Sequence, residues 1–369
     1  MNRDFCNRIT GKKVNKNPRH PDEITPLWLT EVLKEAGLIV DSSVVSIKKE
    51  QIAQGKAWLS TILKIEVTYD STNERAPNSF VLKLLSESRV SRDFSYERQA
   101  YEREVNFYNQ IANTIPIHLP KLFYSVVGTD CNLLLMEDLS HLVPGDQIEG
   151  MTHQQVLITL ESLARVHAAY WKNPVLDSFE WLPSTNNIDL DYNENWDSFV
   201  ELCGYFIDPE ALKLGERLRT RIPWLFEEIS KRPKTLVHDD MKVDNLLFGE
   251  TGSDVDVVIL DWQFVIRSMG AIDVARLIGG SMFPSEREGH HFEALRYWYD
   301  KLLENGVEDY KWEDAQRDYQ LSALYCLCFP VHFHKGITKA EGRALEYIKT
   351  LYSGLFLYAL EIDADSILP

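Results

Sequence analysis

The sequence predicts an α+β fold of two lobes, a small antiparallel sheet with one inserted helix followed by a larger, mainly helical lobe. Three observations carry this expectation. Strand-like segments crowd the first third, at 44–50, 58–69 and 79–85. Helical periodicity dominates from about residue 140 onward. The one long interruption of that periodicity, over 236–261, joins a polar loop to a continuous apolar strand, and such interruptions often carry sites.

Each element has a local cause. Thr25-Pro26, followed by Leu27, Trp28, Val32 and Leu33 and closed by Gly37, reads as a capped amphipathic helix with proline in its first turn. Turn material over 70–78 separates the second and third strands. Helical spacing returns over 96–112, and 121–127 and 132–136 read as two further strands. Thr152 to Gln155 has the form of a capping box opening a long helix through Leu160, Leu163, Val166 and His167. The expected organisation is a tail and helix over 1–40, a first lobe over 41–138 and a second lobe over 139–369, with a cleft between the lobes.

Composition narrows the partners. The chain has 369 residues, 44% of them hydrophobic, enough to bury a sizeable core. A net charge of -17 sets up a field that repels nucleic acid and anionic lipid. Neither is expected as a partner. The five cysteines are scattered and lack paired spacing, so a reducing, cytoplasmic setting is expected, with Cys326 and Cys328 as core thiols. The amino-terminal segment is basic but lacks the apolar run of a secretory signal, and the most apolar late segments fall short of the ~20 residues that cross a bilayer.

The chemistry concentrates in His238-Asp239-Asp240-Met241-Lys242-Val243-Asp244-Asn245 and in Asp261 at the end of the strand that follows. Phosphoryl transfer needs an acidic group to orient the attacking hydroxyl and oxygen ligands for the magnesium on the phosphates. Asp240 is the expected catalytic base, and Asn245 and Asp261 the expected magnesium ligands, in the His-x-Asp-x-x-x-x-Asn spacing of the protein-kinase catalytic loop. His238 is expected to brace the loop.

Upstream, Lys83 shares a strand face with Val81 and Leu85, where a lysine requires a partner. Glu104, on one helical stripe with Ala100, Phe107, Tyr108 and Ile111, is the natural one, and Glu97 the second candidate. Such a pair would position ATP phosphates. Between the first two strands, Gly55 lets the backbone approach the phosphates and Ser60 can donate a hydrogen bond, although a plain hairpin turn fits the same residues. The strand ending at Met136 leads to Glu137 and Leu139, expected to offer backbone groups to adenine.

Taken together, these motifs resemble the aminoglycoside phosphotransferase and choline kinase superfamily, and most closely its ecdysteroid-kinase-like (CHK kinase-like) branch. The similarity spans about 40–330 and includes Arg103-Glu104-Val105-Asn106-Phe107-Tyr108, Leu163 to Ala168, Leu260-Asp261-Trp262-Gln263 and Gly270 to Arg276. It implies a bilobal protein-kinase-like fold, ATP and Mg2+ as cofactors, a small-molecule hydroxyl as acceptor, and Asp273 as a brace for the catalytic loop. Two departures stand out. Asp239 occupies the position where the family commonly has glycine, which would put a charge beside Asp240 that raises its pKa or weakens ATP affinity and makes for modest activity, and the phosphate loop is poor in glycine.

Three other functions compete. A catalytically weak kinase-like protein that binds nucleotide or a small ligand is the main alternative, since fold does not guarantee chemistry. A metal-dependent hydrolase on His238, Asp239, Asp240 and Asp261 would need more ligands than the neighbourhood offers. Protein-kinase activity lacks its Ala-Pro-Glu segment. The acceptor pocket is expected from the helices over 193–226 and 284–358, where Tyr205, Trp298 and Tyr325 are either pocket or core. Neither the acceptor's identity nor the oligomeric state is legible in the sequence.

Overall fold

The computed structural model describes residues 17–53, 59–71, 76–128, 131–184, 191–250 and 255–369. Its contacts divide the chain into two compact units: the first runs to Asn113 and resumes over Leu119–Leu142, and the second comprises Thr114–His118 and Val143–Pro369.

In the first unit, helix α1 (Pro26–Glu35) starts where Thr25 Oγ1 accepts the Trp28 N–H at 3.1 Å, with proline at the position whose missing N–H costs nothing. Its buried face, Trp28, Leu29, Val32 and Leu33, packs with Phe80, Leu82 and Leu84. These three come from strand β3 (Ser79–Leu85) of a five-stranded antiparallel sheet. The other strands are β1 (Val44–Ile52), β2 (Ser60–Tyr69), β4 (Leu122–Val126) and β5 (Leu133–Glu137), in the order β1-β2-β3-β5-β4. Because side chains alternate along a strand, giving Phe80, Leu82 and Leu84 to α1 leaves Val81, Lys83 and Leu85 on the opposite face.

Between β3 and β4 the structure differs from the single helix expected over 96–112. Helix α2 (Arg89–Glu97) begins at Ser88, whose Oγ accepts the Ser91 N–H, and helix α3 (Ala100–Gln110) follows a break at Gln99, where φ is +54°. The buried face of α2 is Ser91 and Ser95 while Val90 is exposed, so apolar residues do not mark the side of this helix that packs. The break also separates Glu97 from the stripe that holds Glu104.

The second unit opens with β6 (Val143–Pro144) and α4 (His153–Ala169), the latter started by the expected Thr152–Gln155 capping box. Helices α5 (Tyr192–Cys203), α6 (Pro209–Arg219) and α7 (Ile222–Ser230) precede the short strands β7 (Thr235–Val237), β8 (Leu246–Phe248), β9 (Val257–Ile259) and β10 (Ile266–Ser268). These strands form two small sheets, β6-β8-β9 and β10-β7. Helices α8 (Ala271–Ser281), α9 (Pro284–Arg287), α10 (His291–Glu304), α11 (Trp312–Cys326), α12 (Cys328–Phe333) and α13 (Gly342–Glu361) complete the unit. Every residue of α8 is buried. A Cβ on Gly279 would lie 2.5 Å from the Tyr358 ring, and one on Gly354 would lie 2.9 Å from the Gly279 carbonyl. Only glycine at both positions lets α8 and α13 approach so closely.

Cys203, Cys326 and Cys328 are free and buried, with burial pushing the thiols of Cys203 and Cys326 up to about 12. Cys326 and Cys328 are therefore core thiols. Among the described residues, no helix is long and apolar enough to cross a membrane.

Candidate active site

The polar loop after β7 is suspended from α8. Asp273, fully buried, accepts the backbone N–H of His238 at 2.8 Å on Oδ2 and that of Asp239 at 2.9 Å on Oδ1. His167 of α4 lies 3.2 Å from Asp273 Oδ2 through Nε2, while its Nδ1 accepts the Trp298 indole N–H at 3.1 Å. With Nδ1 accepting, the proton of the imidazole sits on Nε2 and points to the carboxylate. Trp298 is thus core, at one end of a relay that fixes the loop.

Beyond Asp273 the loop is tied to the strand that delivers Asp261. The His238 ring accepts the Asp240 N–H on Nδ1 at 3.2 Å, and its Nε2 donates to the Leu260 carbonyl at 2.8 Å. The Leu260 N–H donates to the Asn245 carbonyl at 2.8 Å. Both peptide groups of Leu260 are therefore held by the loop, which sets Asp261 in register with Asn245. Asp261 has φ of +65° and accepts the Gln263 amide at 3.1 Å. The Asn245 amide nitrogen donates to the Asp240 carbonyl at 2.8 Å and to Asp240 Oδ2 at 3.2 Å.

Asp240 is 6% exposed and carries two cationic partners. Lys242 Nζ lies 2.6 Å from Oδ2, and Arg276 Nη2 lies 2.9 Å from Oδ1. Burial works to raise the Asp240 pKa, but the Lys242 and Arg276 charges overcome it and hold the carboxyl at about 2. The expectation that Asp239 would raise this pKa does not hold. The Asp239 carboxyl instead accepts the Tyr325 hydroxyl at 3.2 Å, and burial drives its own pKa well above the usual carboxylate range against the pull of Arg276. Tyr325, like Trp298, is part of the supporting core. The backbone at Asp239 has φ of +63°, the left-handed conformation that glycine adopts without cost.

Neither Arg276 nor Lys242 was assigned a role from the sequence. Arg276 follows Asp273 by three residues on a helix that is otherwise apolar and buried, and a lone arginine in such a run is the signal that points to it. Its guanidinium carbon lies 3.8 Å from the centre of the Phe329 ring, which shields the ion pair from water.

In the first unit, Lys83 Nζ lies 2.8 Å from Glu104 Oε1 and 2.7 Å from Oε2, both residues being buried. Glu97 ends α2 and is exposed. The buried Ser60 hydroxyl has no hydrogen-bond partner among the described residues. Gly55 lies outside them. Glu137 spends its N–H on the Lys121 carbonyl at 2.9 Å and its carboxylate on the Lys121 N–H at 3.2 Å. Leu139 accepts from the Leu142 N–H at 2.9 Å, and its own N–H has no acceptor among the described residues. Between them, Asp138 meets Lys64 at 3.1 Å and accepts the Ser140 N–H at 2.9 Å, which anchors this turn.

The second unit also holds a cavity of about 520 Å3, lined mainly by apolar side chains that include Phe206, Ile207, Met282, Phe283 and Leu357. Ser281 in its wall accepts the Val243 N–H at 3.0 Å, joining the cavity to the loop of Asp240. The exposed Tyr205 stands at its rim.

An antiparallel sheet with its buried lysine–glutamate pair, and a helical unit carrying an aspartate loop braced from a central helix, define the bilobal protein-kinase-like fold. The chain matches the model of the ecdysteroid kinase-like family over residues 54–309, and it belongs to that family. Solved structures agree on the fold. Choline kinase from Cryptosporidium parvum is 12% identical with a TM-score of 0.53, covering 88% of this chain and 92% of its own. A microcompartment-associated aminopropanol kinase is 13% identical with a TM-score of 0.55, covering 88% and 94%. An aminoglycoside phosphotransferase homologue from Ralstonia eutropha is 13% identical with a TM-score of 0.51, covering 85% and 93%. No curated protein matches the chain significantly.

Proposed function

We propose that this protein is an ATP-dependent phosphotransferase that phosphorylates a hydroxyl of a small molecule, with Asp240 as the group that receives the acceptor hydroxyl. The observation that carries the reading is the Asp240 carboxylate, buried yet kept ionised by Lys242 and Arg276. A carboxylate offers about four lone-pair positions. Lys242, Arg276 and Asn245 use three of them, which leaves room for one further donor, the acceptor hydroxyl.

With its pKa at about 2, Asp240 is a weak base in the ground state, so its main contribution is orientation of the hydroxyl. The proton then moves to Asp240 only as the oxygen–phosphorus bond forms and the oxygen becomes acidic, as a loose phosphoryl-transfer transition state allows.

Asn245 and Asp261 fit magnesium, because they offer oxygen ligands and because the Asn245 amide nitrogen is already engaged, which leaves its oxygen as the ligand. The chemistry magnesium supplies when bound is neutralisation of charge on the phosphate oxygens. Lys83, held by Glu104, would contact ATP phosphates, and Ser60 has a hydroxyl to donate. Gly55, expected from the sequence to let the backbone approach the phosphates, lies outside the described residues. The Glu137 and Leu139 backbone would meet adenine, to which the unengaged Leu139 N–H is suited. The acceptor is assigned to the cavity beside Ser281, whose apolar lining favours a molecule with a substantial hydrocarbon surface.

Calorimetric titration with ATP, with and without magnesium, tests the nucleotide half of this reading. Tight binding that requires magnesium, and that weakens about tenfold or more in Asn245→Ala and Asp261→Asn, is expected. Absence of magnesium-dependent ATP binding by the wild-type protein would overturn it.

A further inference from the structure

Away from the Asp240 loop, the first turns of α4 and α10 bring three metal-ligating side chains together. His153 opens α4, His290 immediately precedes α10, and Glu293 lies in the first turn of α10. One donor atom from each lies within 4.8 Å of the others. His290 Nδ1 is 2.9 Å from Glu293 Oε2, and the His153 and His290 rings are 4.9 Å apart at 45°.

The His290–Glu293 contact alone is an ordinary pairing of neighbours on one helix face. It does not account for His153, which comes from a different helix. His153 Nδ1 is shielded from water and has no hydrogen-bond partner among the described residues, a costly state for a polar nitrogen. Both backbones are fixed, that of His153 by the Thr152–Gln155 capping box and those of His290 and Glu293 by α10. Around a tetrahedral ion with bonds of about 2.0–2.2 Å, ligand atoms are roughly 3.3–3.5 Å apart, so small side-chain rotations suffice to close the observed spacing.

We propose that His153, His290 and Glu293 form a zinc-type divalent-metal site that clamps the first turn of α4 to the first turn of α10. Two imidazoles and one carboxylate without a thiolate suit zinc or cobalt, whereas magnesium and calcium prefer oxygen ligands throughout. The half-exposed His290 and Glu293 leave the fourth coordination position to water. The site is independent of the phosphotransfer reading, since none of its residues belongs to that machinery. Its role is to stabilise the helical unit, in whose core α4 supplies His167 and α10 supplies Trp298.

The test is thermal unfolding and equilibrium dialysis of the chelator-treated full chain with Zn2+, with Co2+ as a spectroscopic probe. Wild type should bind about one equivalent of Zn2+ and gain a few degrees in Tm at roughly 100 times the dissociation constant. Co2+ should give the visible absorption of a four-coordinate ion, and Mg2+ at the same concentration should give no shift. His290→Asn and Glu293→Gln, at exposed positions where the fold is retained, should lose the bound equivalent and the shift, as should His153→Asn. Zn2+ without effect on wild type, or binding and shift undiminished in the His290 and Glu293 variants, would overturn the proposal.

Discussion

Arg276 and Asp240 form an ion pair in which the guanidinium is stacked 3.8 Å from the Phe329 ring and its Nη2 lies 2.9 Å from the carboxylate Oδ1. The partner that keeps Asp240 ionised therefore comes from α8, the same helix that suspends the loop through Asp273. Position and charge state of the loop share one support.

Replacing Arg276 with methionine should expose this dependence. Burial already pushes the Asp240 pKa upward, and with Arg276 gone one of the two charges that chiefly oppose it is lost, leaving Lys242 as the main one. In the wild type no acid limb of kcat/KM from Asp240 is expected above about pH 4. The variant should lose about tenfold or more in kcat/KM and gain an acid limb within the assayed range. An unchanged pH profile would contradict the assignment.

The same shift makes a stability prediction. The folded pKa of Asp240, about 2, lies below its ordinary value of 3.8, so its contribution is present above pH 3.8 and is lost as pH falls toward 2. The contribution is about 2 kcal/mol. Denaturant unfolding of wild type and Asp240→Asn over pH 2–6 should show a smaller acid-side loss in the variant. Parallel curves would contradict it.

Asp273→Asn tests the suspension of the loop. Asparagine has one acceptor oxygen for three donors and brings a competing N–H of its own, so the variant should lose about 2–4 kcal/mol of stability, as measured by urea unfolding. Activity should fall with it. Stability within about 0.5 kcal/mol of wild type would show that the loop is held by something else.

Asp239 bears the opposite linkage to Asp240. Its folded pKa is raised, so what it contributes is fully present below the unfolded value of about 3.9 and is lost as pH rises through the folded one. Asp239→Gly removes this penalty and also suits the φ of +63°. The stability of the variant relative to wild type should increase as pH rises above the unfolded value. A pH-independent difference would show that Asp239 does not titrate abnormally.

For Lys83 and Glu104, removing one partner differs from removing both. Lys83→Met takes the lysine charge away from a buried carboxylate and should cost about 3–5 kcal/mol. The double variant Lys83→Met, Glu104→Leu should recover much of that stability while still binding ATP at least about tenfold more weakly than wild type, by calorimetry. Recovery of ATP binding along with stability would remove the pair from the nucleotide site.

What the sequence made legible is what depends on neighbours along the chain. The Thr25 and Thr152 caps, the strands of the sheet and the spacing of His238, Asp240 and Asn245 are local patterns, and each is visible within a dozen residues. Lys83 and Glu104 were legible because strand alternation and helix periodicity each pointed a charged side chain at an apolar face. The roles of Arg276, Tyr325 and Trp298 were not, because they arise where α8 and α11 meet the loop and where α10 meets α4, and no local rule orders contacts so distant in sequence. The start of α2 is illegible for a local reason, since the face it buries is Ser91 and Ser95 while its Val90 is exposed, the reverse of the usual pattern.

The most direct test of the account is transfer of the γ-phosphate of ATP, with magnesium, to a mixed panel of sterols, amino alcohols, aminoglycosides and hydroxy acids by wild type and Asp240→Asn. Labelled product from the wild type that falls by about three orders of magnitude or more in the variant is the predicted result. Transfer undiminished in Asp240→Asn, or magnesium-dependent ATP binding with no transfer to any class of acceptor, would contradict it.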